Sequence, residues 1–334
     1  MIIVTGGTGM LGAHILFQLC RKSHKVIALK RKHSNTGLVL KIFSYYTDEP
    51  EQLFKKIQWK NCDLNTPSCL QKYINKGDTV IHAAALVSFN KKDKEKIKQV
   101  NIDGTKALVN ACLLKNAGKL CHISSIAALS SADKTGKITE KLGEIDPGQS
   151  EYSKSKFYSE LEVWRGIAEG LNAVILNPSV ILGPGNWSQG SSALFDTVYK
   201  SNKYYTTGVT GFTDVTDVAE IAVLFAENDL HGKRYIINSE NISYKDLFQL
   251  MAKYLKVSPP KKEASPGLLK FIGILESVYK KITGGTPKLT KETIKAAASK
   301  SYYSNAALTN ELNYRFLSIK ESIEKNANLY LADL

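Results

Sequence analysis

The 334-residue sequence predicts an α/β fold, a doubly wound parallel sheet covered by helices on both faces, followed by a smaller and mostly helical C-terminal domain. Three observations predict it. Short β-branched runs alternate with segments of helical spacing from Ile2 to Asn238, the order expected of βαβ units. The runs are almost continuously apolar, as in strands buried on both faces. Beyond Asn238 the strand pattern gives way to helical spacing.

The elements follow in order. Met1-Ile2-Ile3-Val4-Thr5 and Lys25-Val26-Ile27-Ala28-Leu29 flank a helix from Met10 to about Lys22, giving strand, helix, strand. Further strands are expected at Ile57 to Asp63, Thr79 to Ala84, Leu120 to Ser124 and Ala173 to Val180. The longest helices are expected over Lys92 to Lys115 and Tyr152 to Gly170. Gly183-Pro184-Gly185 marks a turn, and Tyr235-Ile236-Ile237-Asn238 reads as a last short strand. These breaks divide the chain into a larger domain over 1–182 and 208–238 and a smaller domain over 183–207 and 239–334. In the latter, Leu268, Ile272, Leu275, Tyr279 and Ile282 form an apolar helical stripe between Pro266-Gly267 and Gly284-Gly285. It reads as a core helix, with weak membrane-surface association as the alternative.

Composition narrows the function classes. A hydrophobic share of 43% excludes disorder, and no run approaches the roughly 18 apolar residues of a membrane span. The first strand starts at Met1, which leads to the expectation of a cytoplasmic protein without a leader. Cys20, Cys62, Cys69, Cys112 and Cys121 lack metal-ligand spacing and are expected to be reduced thiols, with neither disulfide nor zinc. The net charge of +14 comes from lysines spread along the chain without interleaved aromatics, so no nucleic-acid partner is expected.

Gly7-Thr8-Gly9-Met10-Leu11-Gly12, preceded by Gly6, fits GxGxxG between a strand and a helix. Glycines there allow a tight turn and the close approach of a pyrophosphate, while the helix start offers free N–H groups and partial positive charge. This is the mark of a Rossmann-type domain. An NAD-selecting fold places an acidic residue about 20 residues further on to hold the ribose hydroxyl. No acidic residue occurs before Asp48, and Lys30-Arg31-Lys32-His33-Ser34 stands at that place. Its cations suit a 2′-phosphate, so NADP(H) is the preferred cofactor, with NAD(H) as the alternative.

Tyr152 and Lys156 stand four apart on a predicted helix and therefore on one face. An ammonium near a phenol is expected to lower its pKa towards a useful value for proton transfer. Ser124-Ser125 end a strand at the carboxyl edge of the sheet, where a hydroxyl can donate to the same substrate oxygen.

With Asp63-Leu64, His82-Ala83-Ala84-Ala85, Asn101 with Gly104-Thr105, and Asn177-Pro178-Ser179, these motifs resemble, in order and over nearly the whole chain, the extended short-chain dehydrogenase/reductase family. The resemblance implies Tyr152 as general acid/base, Lys156 on the nicotinamide ribose, and Ser125 polarising the carbonyl with Ser124 as its adjacent competitor. It places Asp63 at the adenine, Ala83 and Ala84 by the nicotinamide, and Pro178 and Ser179 near the carboxamide. Leu64, Ala85, Asn101 and Ser124 complete the cofactor set. Read as residues alone, Asp63 suits a helix N-cap and Asn101 a polar packing position. His82 is expected to be a satisfied strand-end histidine, and Asp214 and Asp217 to cap a helix.

Three functions remain. The first is reduction of a ketone or aldehyde on a small, partly hydrophobic substrate, because the motifs look most like the dihydroflavonol reductase and hydroxysteroid dehydrogenase branch. The second is nucleotide-sugar epimerisation; dehydration is disfavoured because Ile126-Ala127 replace the acidic pair that dehydratases carry. The third is a non-catalytic NADP-binding regulator. Val87, Ser88, Phe89, Asn186, Trp187, Ser191 and Leu194 are the candidates to face substrate. A homodimer is left open.

Overall fold

The computed structural model describes residues 1–129, 132–146, 148–200, 203–265, 267, 294 and 297–334. Apolar β-branched runs form β1 (Ile2–Thr5) and β2 (Val26–Lys30) on either side of α1 (Met10–Arg21). Two short helices, α2 (Gly37–Ser44) and α3 (Pro50–Lys55), lead to β3 (Ile57–Asn61). Then α4 (Pro67–Tyr73) leads to β4 (Thr79–His82). The long helix expected over Lys92 to Lys115 is α5 (Lys94–Ile97) and α6 (Gly104–Leu114), joined by a π-helical stretch, Lys98–Asp103. It is followed by β5 (Lys119–Ile123), the short β6 (Lys137–Ile138), α7 (Glu151–Ala168) and β7 (Ala173–Pro178).

Further on come β8 (Val180–Leu182), α8 (Ala193–Tyr199), β9 (Tyr204–Tyr205), β10 (Val209–Asp214), α9 (Val215–Glu227), β11 (Arg234–Ile237), β12 (Glu240–Ser243) and α10 (Tyr244–Tyr254). Helices Ala306–Leu312 and Ile319–Ala332 close the described chain.

Seven strands pair in the order β11-β7-β5-β4-β1-β2-β3, every pairing parallel. The chain leaves β1 towards β3, then returns past β1 to build β4, β5, β7 and β11. The order therefore reverses between β1 and β4, and a crevice opens there at the carboxyl ends of the strands. Successive side chains alternate across the sheet. Ile2, Val4 and Ala28 pack beneath α1 and α9, whereas Ile3, Ile27 and Leu29 pack beneath α4, α6 and α7.

A second core lies beside this sheet. There β10 pairs parallel with β8 and antiparallel with β12, and Leu182, Phe195, Phe212, Met251, Ile323 and Tyr330 bury against one another. The strands β8 and β10 thus join the second core, although the sequence assigns 180–182 and 208–214 to the larger domain. Asp214 accepts the Thr216 N–H and caps α9 as expected, and its other oxygen takes Ser322 and Asn326 of the C-terminal helix.

One expectation is corrected. Cys62 and Cys69 are joined as a disulfide, because the turn Asp63–Thr66 folds the first turn of α4 back onto the end of β3. Cys20, Cys112 and Cys121 are buried free thiols, as expected. The stripe from Leu268 to Ile282 lies outside the described residues. Among the described residues no helix is long and apolar enough to cross a membrane, and no cluster has the makeup of a metal site.

Candidate active site

The glycine loop joins β1 to α1 at the crevice. Gly6 has φ of 73°, and a Cβ there would come within 2.5 Å of the Ala84 nitrogen on the loop after β4. A Cβ on Gly12 would collide with the Gly6 carbonyl oxygen. At Gly7 the nearest neighbour is the flexible end of Leu16. The steric demand therefore falls on Gly6 and Gly12, where backbone atoms stand in the way, and the positive φ places the tight turn at Gly6. Gly9 caps α1 without a side chain, so the first N–H groups of the helix face the crevice beside Thr8, Met10 and Leu11. A cradle that a Cβ would fill, at a helix start with free N–H groups, fits a dinucleotide pyrophosphate.

Parallel pairing brings Lys30, Arg31 and Lys32 to the same edge as this loop. Arg31 and Lys32 are exposed, and among the described residues none of the three forms an ion pair. Asp63 follows β3 at that edge, exposed, with its carboxylate accepting the Asn65 N–H; Leu64 packs against Gly104. Ala83 and Ala84 back onto Gly6, and Ala85 is exposed. Asn101, buried in the π-helical stretch, binds both backbone groups of Leu86 at 2.7 and 3.0 Å and Ser155 at 2.9 Å. It clamps the loop after β4 to α7. Pro178 and Ser179 are buried at the end of β7, with the Ser179 side chain against Gly211.

Ser125 lies just beyond β5 and Tyr152 on the first turn of α7, near enough for the Ser125 hydroxyl to act on the phenol. Ser150 caps α7 by accepting the Ser153 N–H, which fixes the helix start beside the crevice. Lys156 lies one turn on, buried, with Nζ donating to the Ile123 carbonyl at 2.9 Å. Burial lowers its pKa to about 8, opposed by the charge of Glu160. Burial raises the Tyr152 pKa, opposed by the Ser125 hydroxyl. The net lowering expected from Lys156 is thus not found: desolvation of the phenolate dominates.

Ser124 points the other way. Its hydroxyl donates to Glu160 at 2.5 Å, so Ser125 alone of the pair faces the crevice. Glu160 also takes Asn177 Nδ2 at 2.6 Å and Arg234 at 2.9 Å, and Asn177 Nδ2 reaches the Ser125 carbonyl at 2.9 Å. Sequence reasoning missed this layer. Glu160, four residues beyond Lys156 on one helix face, carried a usable signal; Arg234, within an apolar strand, carried none. His82 is satisfied as expected, between Thr5 at 2.6 Å and Thr105 at 3.0 Å.

Of the substrate candidates, Phe89 lies edge-on to Tyr152 with ring centroids 5.8 Å apart, and Val87 is exposed nearby in the chain. Ser88 and Phe89 line a cavity of about 360 Å³ with Gln149, Ser150, Glu151 and Lys154. Trp187 instead packs on Phe195 and Tyr330 and donates to Asp333 at 2.6 Å. Ser191 donates to the Ile181 carbonyl, Asn186 accepts the Ser188 N–H, and Leu194 packs on the second core. These build the loop that follows β8. A larger cavity, about 790 Å³, borders β11 and includes none of the expected site residues.

Comparison with known proteins agrees with this geometry. The chain matches the NAD dependent epimerase/dehydratase family over residues 2–238. It is 26% identical over 330 residues to a Synechocystis sp. protein provisionally named dihydroflavonol 4-reductase, covering 96% of this chain and 91% of that one. It is 24% identical to the decarboxylating sterol-4-alpha-carboxylate 3-dehydrogenase of Dictyostelium discoideum, over 94% of this chain and 97% of the other. Its fold matches the crystal structure of gox2253 with a TM-score of 0.81 at 24% identity, covering 100% of this chain and 98% of that one. The glycine cradle, the Ser125, Tyr152 and Lys156 cluster and these matches make the chain an NAD(P)-dependent enzyme that belongs to the NAD dependent epimerase/dehydratase family, within the extended short-chain dehydrogenase/reductase type.

Proposed function

We propose that the protein is an NADP(H)-dependent reductase of a ketone or aldehyde carried by a small, partly hydrophobic substrate, with Tyr152 as general acid. The observation that carries this reading is the gathering of Ser125, Tyr152 and the buried Lys156 at the carboxyl edge of the sheet, with Lys156 Nζ held by the Ile123 carbonyl at 2.9 Å. Two hydroxyls so placed converge on one carbonyl oxygen. Ser125 donates to that oxygen and polarises it, and Tyr152 delivers the proton. The raised pKa keeps Tyr152 protonated at neutral pH, the form a general acid needs. Lys156 uses one of its three N–H donors on Ile123, which leaves two for the nicotinamide ribose, and its charge offsets the phenolate left after transfer. When bound, the dinucleotide supplies the hydride. Gly6, Gly9, Gly12 and the start of α1 would hold its pyrophosphate, Asp63 and Leu64 would flank the adenine, and Pro178 and Ser179 would lie towards the carboxamide. Exposed Val87 and Phe89 supply an apolar wall for the substrate.

The test is loss of NADPH absorbance with a panel of aromatic, aliphatic and steroid-like ketones and aldehydes. The relatives named as a reductase and a sterol dehydrogenase make this panel the starting point. NADPH is expected to be consumed in proportion to product. Isomerisation of a nucleotide sugar, with no stoichiometric NADPH consumption on any carbonyl, refutes the reading.

The cofactor preference is supported by Lys30, Arg31 and Lys32 beside the glycine loop, which form no ion pair among the described residues, and by the lack of any acidic residue before Asp48. A charge-assisted contact with the 2′-phosphate is worth roughly 1.5–3 kcal/mol, about tenfold or more in Kd. Titration by intrinsic fluorescence should show NADPH bound more tightly than NADH, and Arg31→Ala should erase most of the difference. Equal affinity for the two cofactors refutes the preference.

A further inference from the structure

Beneath Ser125, Tyr152 and Lys156 runs a line of buried charge for which the steps above find no use. Glu160 is 1% exposed and carries every contact of that line. One carboxylate oxygen accepts Ser124 Oγ and Asn177 Nδ2, and the other accepts Arg234, itself 5% exposed on β11 at the edge of the sheet. The guanidinium is held in turn by the Glu140 and Lys141 carbonyls. Asn177 spends the same amide group on Glu160 and on the Ser125 carbonyl, so the carboxylate and the Ser125 backbone are tied through one side chain. Lys156 stands four residues before Glu160 on the same face of α7.

We propose that Glu160 is a positioning residue for the reaction: it holds Lys156 in the ammonium form and, through Asn177, fixes Ser125, with Arg234 as its counter-ion. The proposal takes Tyr152 and Lys156 as the proton-handling pair, as above. Every charged or titratable group facing Lys156 among the described residues agrees with it. Tyr152 and Glu160 come from α7 itself, His122 from β5 and His82 from β4. Burial, with the Lys156 charge adding to it, drives His82 down to about 3, and burial with His82 and Lys156 holds His122 well below its usual value. Both rings are neutral at pH 7. Arg234 pairs with Glu160 at 2.9 Å, and Glu160 is the anion that opposes the desolvation of the ammonium. A group that merely filled space would leave the titration of Lys156 unmoved.

The experiment follows Lys156 directly by NMR of protein labelled with ε-¹³C-lysine, its signal assigned by loss in Lys156→Met. The titration midpoint is compared in the native chain, in Glu160→Gln, and in Glu160→Gln combined with Arg234→Met. The double variant removes both charges, so no buried charge is stranded if the single variant fails to fold. An opposite charge at this range moves a midpoint by about one pH unit or more. Glu160→Gln should therefore titrate at least about one pH unit lower than the native chain, and the double variant, which also loses the Arg234 cation, should titrate lower by a smaller margin. A double variant that folds, with a native melting profile and a native Lys156 midpoint, overturns the proposal and reduces the pair to packing. The measurement needs neither substrate nor cofactor, so failure of the reductase assay leaves its outcome intact.

Discussion

Tyr152→Phe loses turnover by about 10²–10⁴-fold or more and keeps cofactor affinity almost unchanged. In the proposed reaction the phenol contributes its proton, and the glycine cradle that would hold the cofactor is a separate element at the start of α1. Phe retains the edge-on contact with Phe89, so the local packing of α7 survives. Lys156→Met is the comparison: it should lower turnover and weaken cofactor binding together, because the ammonium is assigned both the ribose and the phenolate. Steady-state rates and cofactor titrations on the two variants check this. A Tyr152→Phe enzyme with most of its activity would mean that another group delivers the proton.

Asp214→Ala should cost about 1–3 kcal/mol of stability, the range for leaving buried polar groups without their partner, because Lys325 stays partly in solvent. Asp214 is fully buried where β10 meets α9, and its carboxylate takes Thr216, Ser322, Asn326 and Lys325, the last at 2.8 Å. Alanine leaves the buried Ser322 and Asn326 groups short of a partner and unties the C-terminal helix from the second core. Burial acts to raise the Asp214 pKa, but the Lys325 charge and the hydrogen bonds outweigh it and hold it below the usual 3.8. A carboxylate depressed in the folded state contributes stability above its unfolded pKa and loses it as pH falls through the folded value. The gap between native and variant should therefore be full at neutral pH and narrow as pH drops below about 4. Urea midpoints measured across that range test both statements; a variant within about 1 kcal/mol of native at pH 7 contradicts the first.

Some elements announced themselves for local reasons. The strands that became β1, β2, β4, β5 and β7 are short apolar β-branched runs, and both long helices carry helical spacing, so bounds agree within a few residues. Tyr152 and Lys156 were legible because four residues on a helix is a distance in space. Even here, the motif does not say which glycine is sterically required: the demand at Gly6 arises from the Ala83-Ala84 backbone across the crevice. Cys62 and Cys69, seven apart, offered no framework spacing, and their pairing depends on how the turn after β3 folds back.

Trp187 and Arg234 show where such reading stops. Trp187 sits in a turn-rich loop and looked like a substrate contact, yet it is held by Phe195, Tyr330 and Asp333. Asp333 also takes Lys41 from α2 and Tyr45 just past its end, tying that loop and the C-terminal helix to the first part of the chain. Glu160 and Arg234 are separated by 74 residues and meet only because β11 lands beside β7. The sequence by itself determined the alternating strands and helices, the glycine loop, the basic turn after the second strand and the Tyr152 and Lys156 face, since each depends on neighbours within a few turns of chain. Tertiary structure alone decided the strand order that opens the crevice, the turning of Ser124 inward and Ser125 outward, and the buried Arg234, Glu160 and Asp214 contacts. Desolvating a charge is costly enough that a buried one must find its partner wherever the fold brings one, and the distance between partners along the chain does not enter that energy.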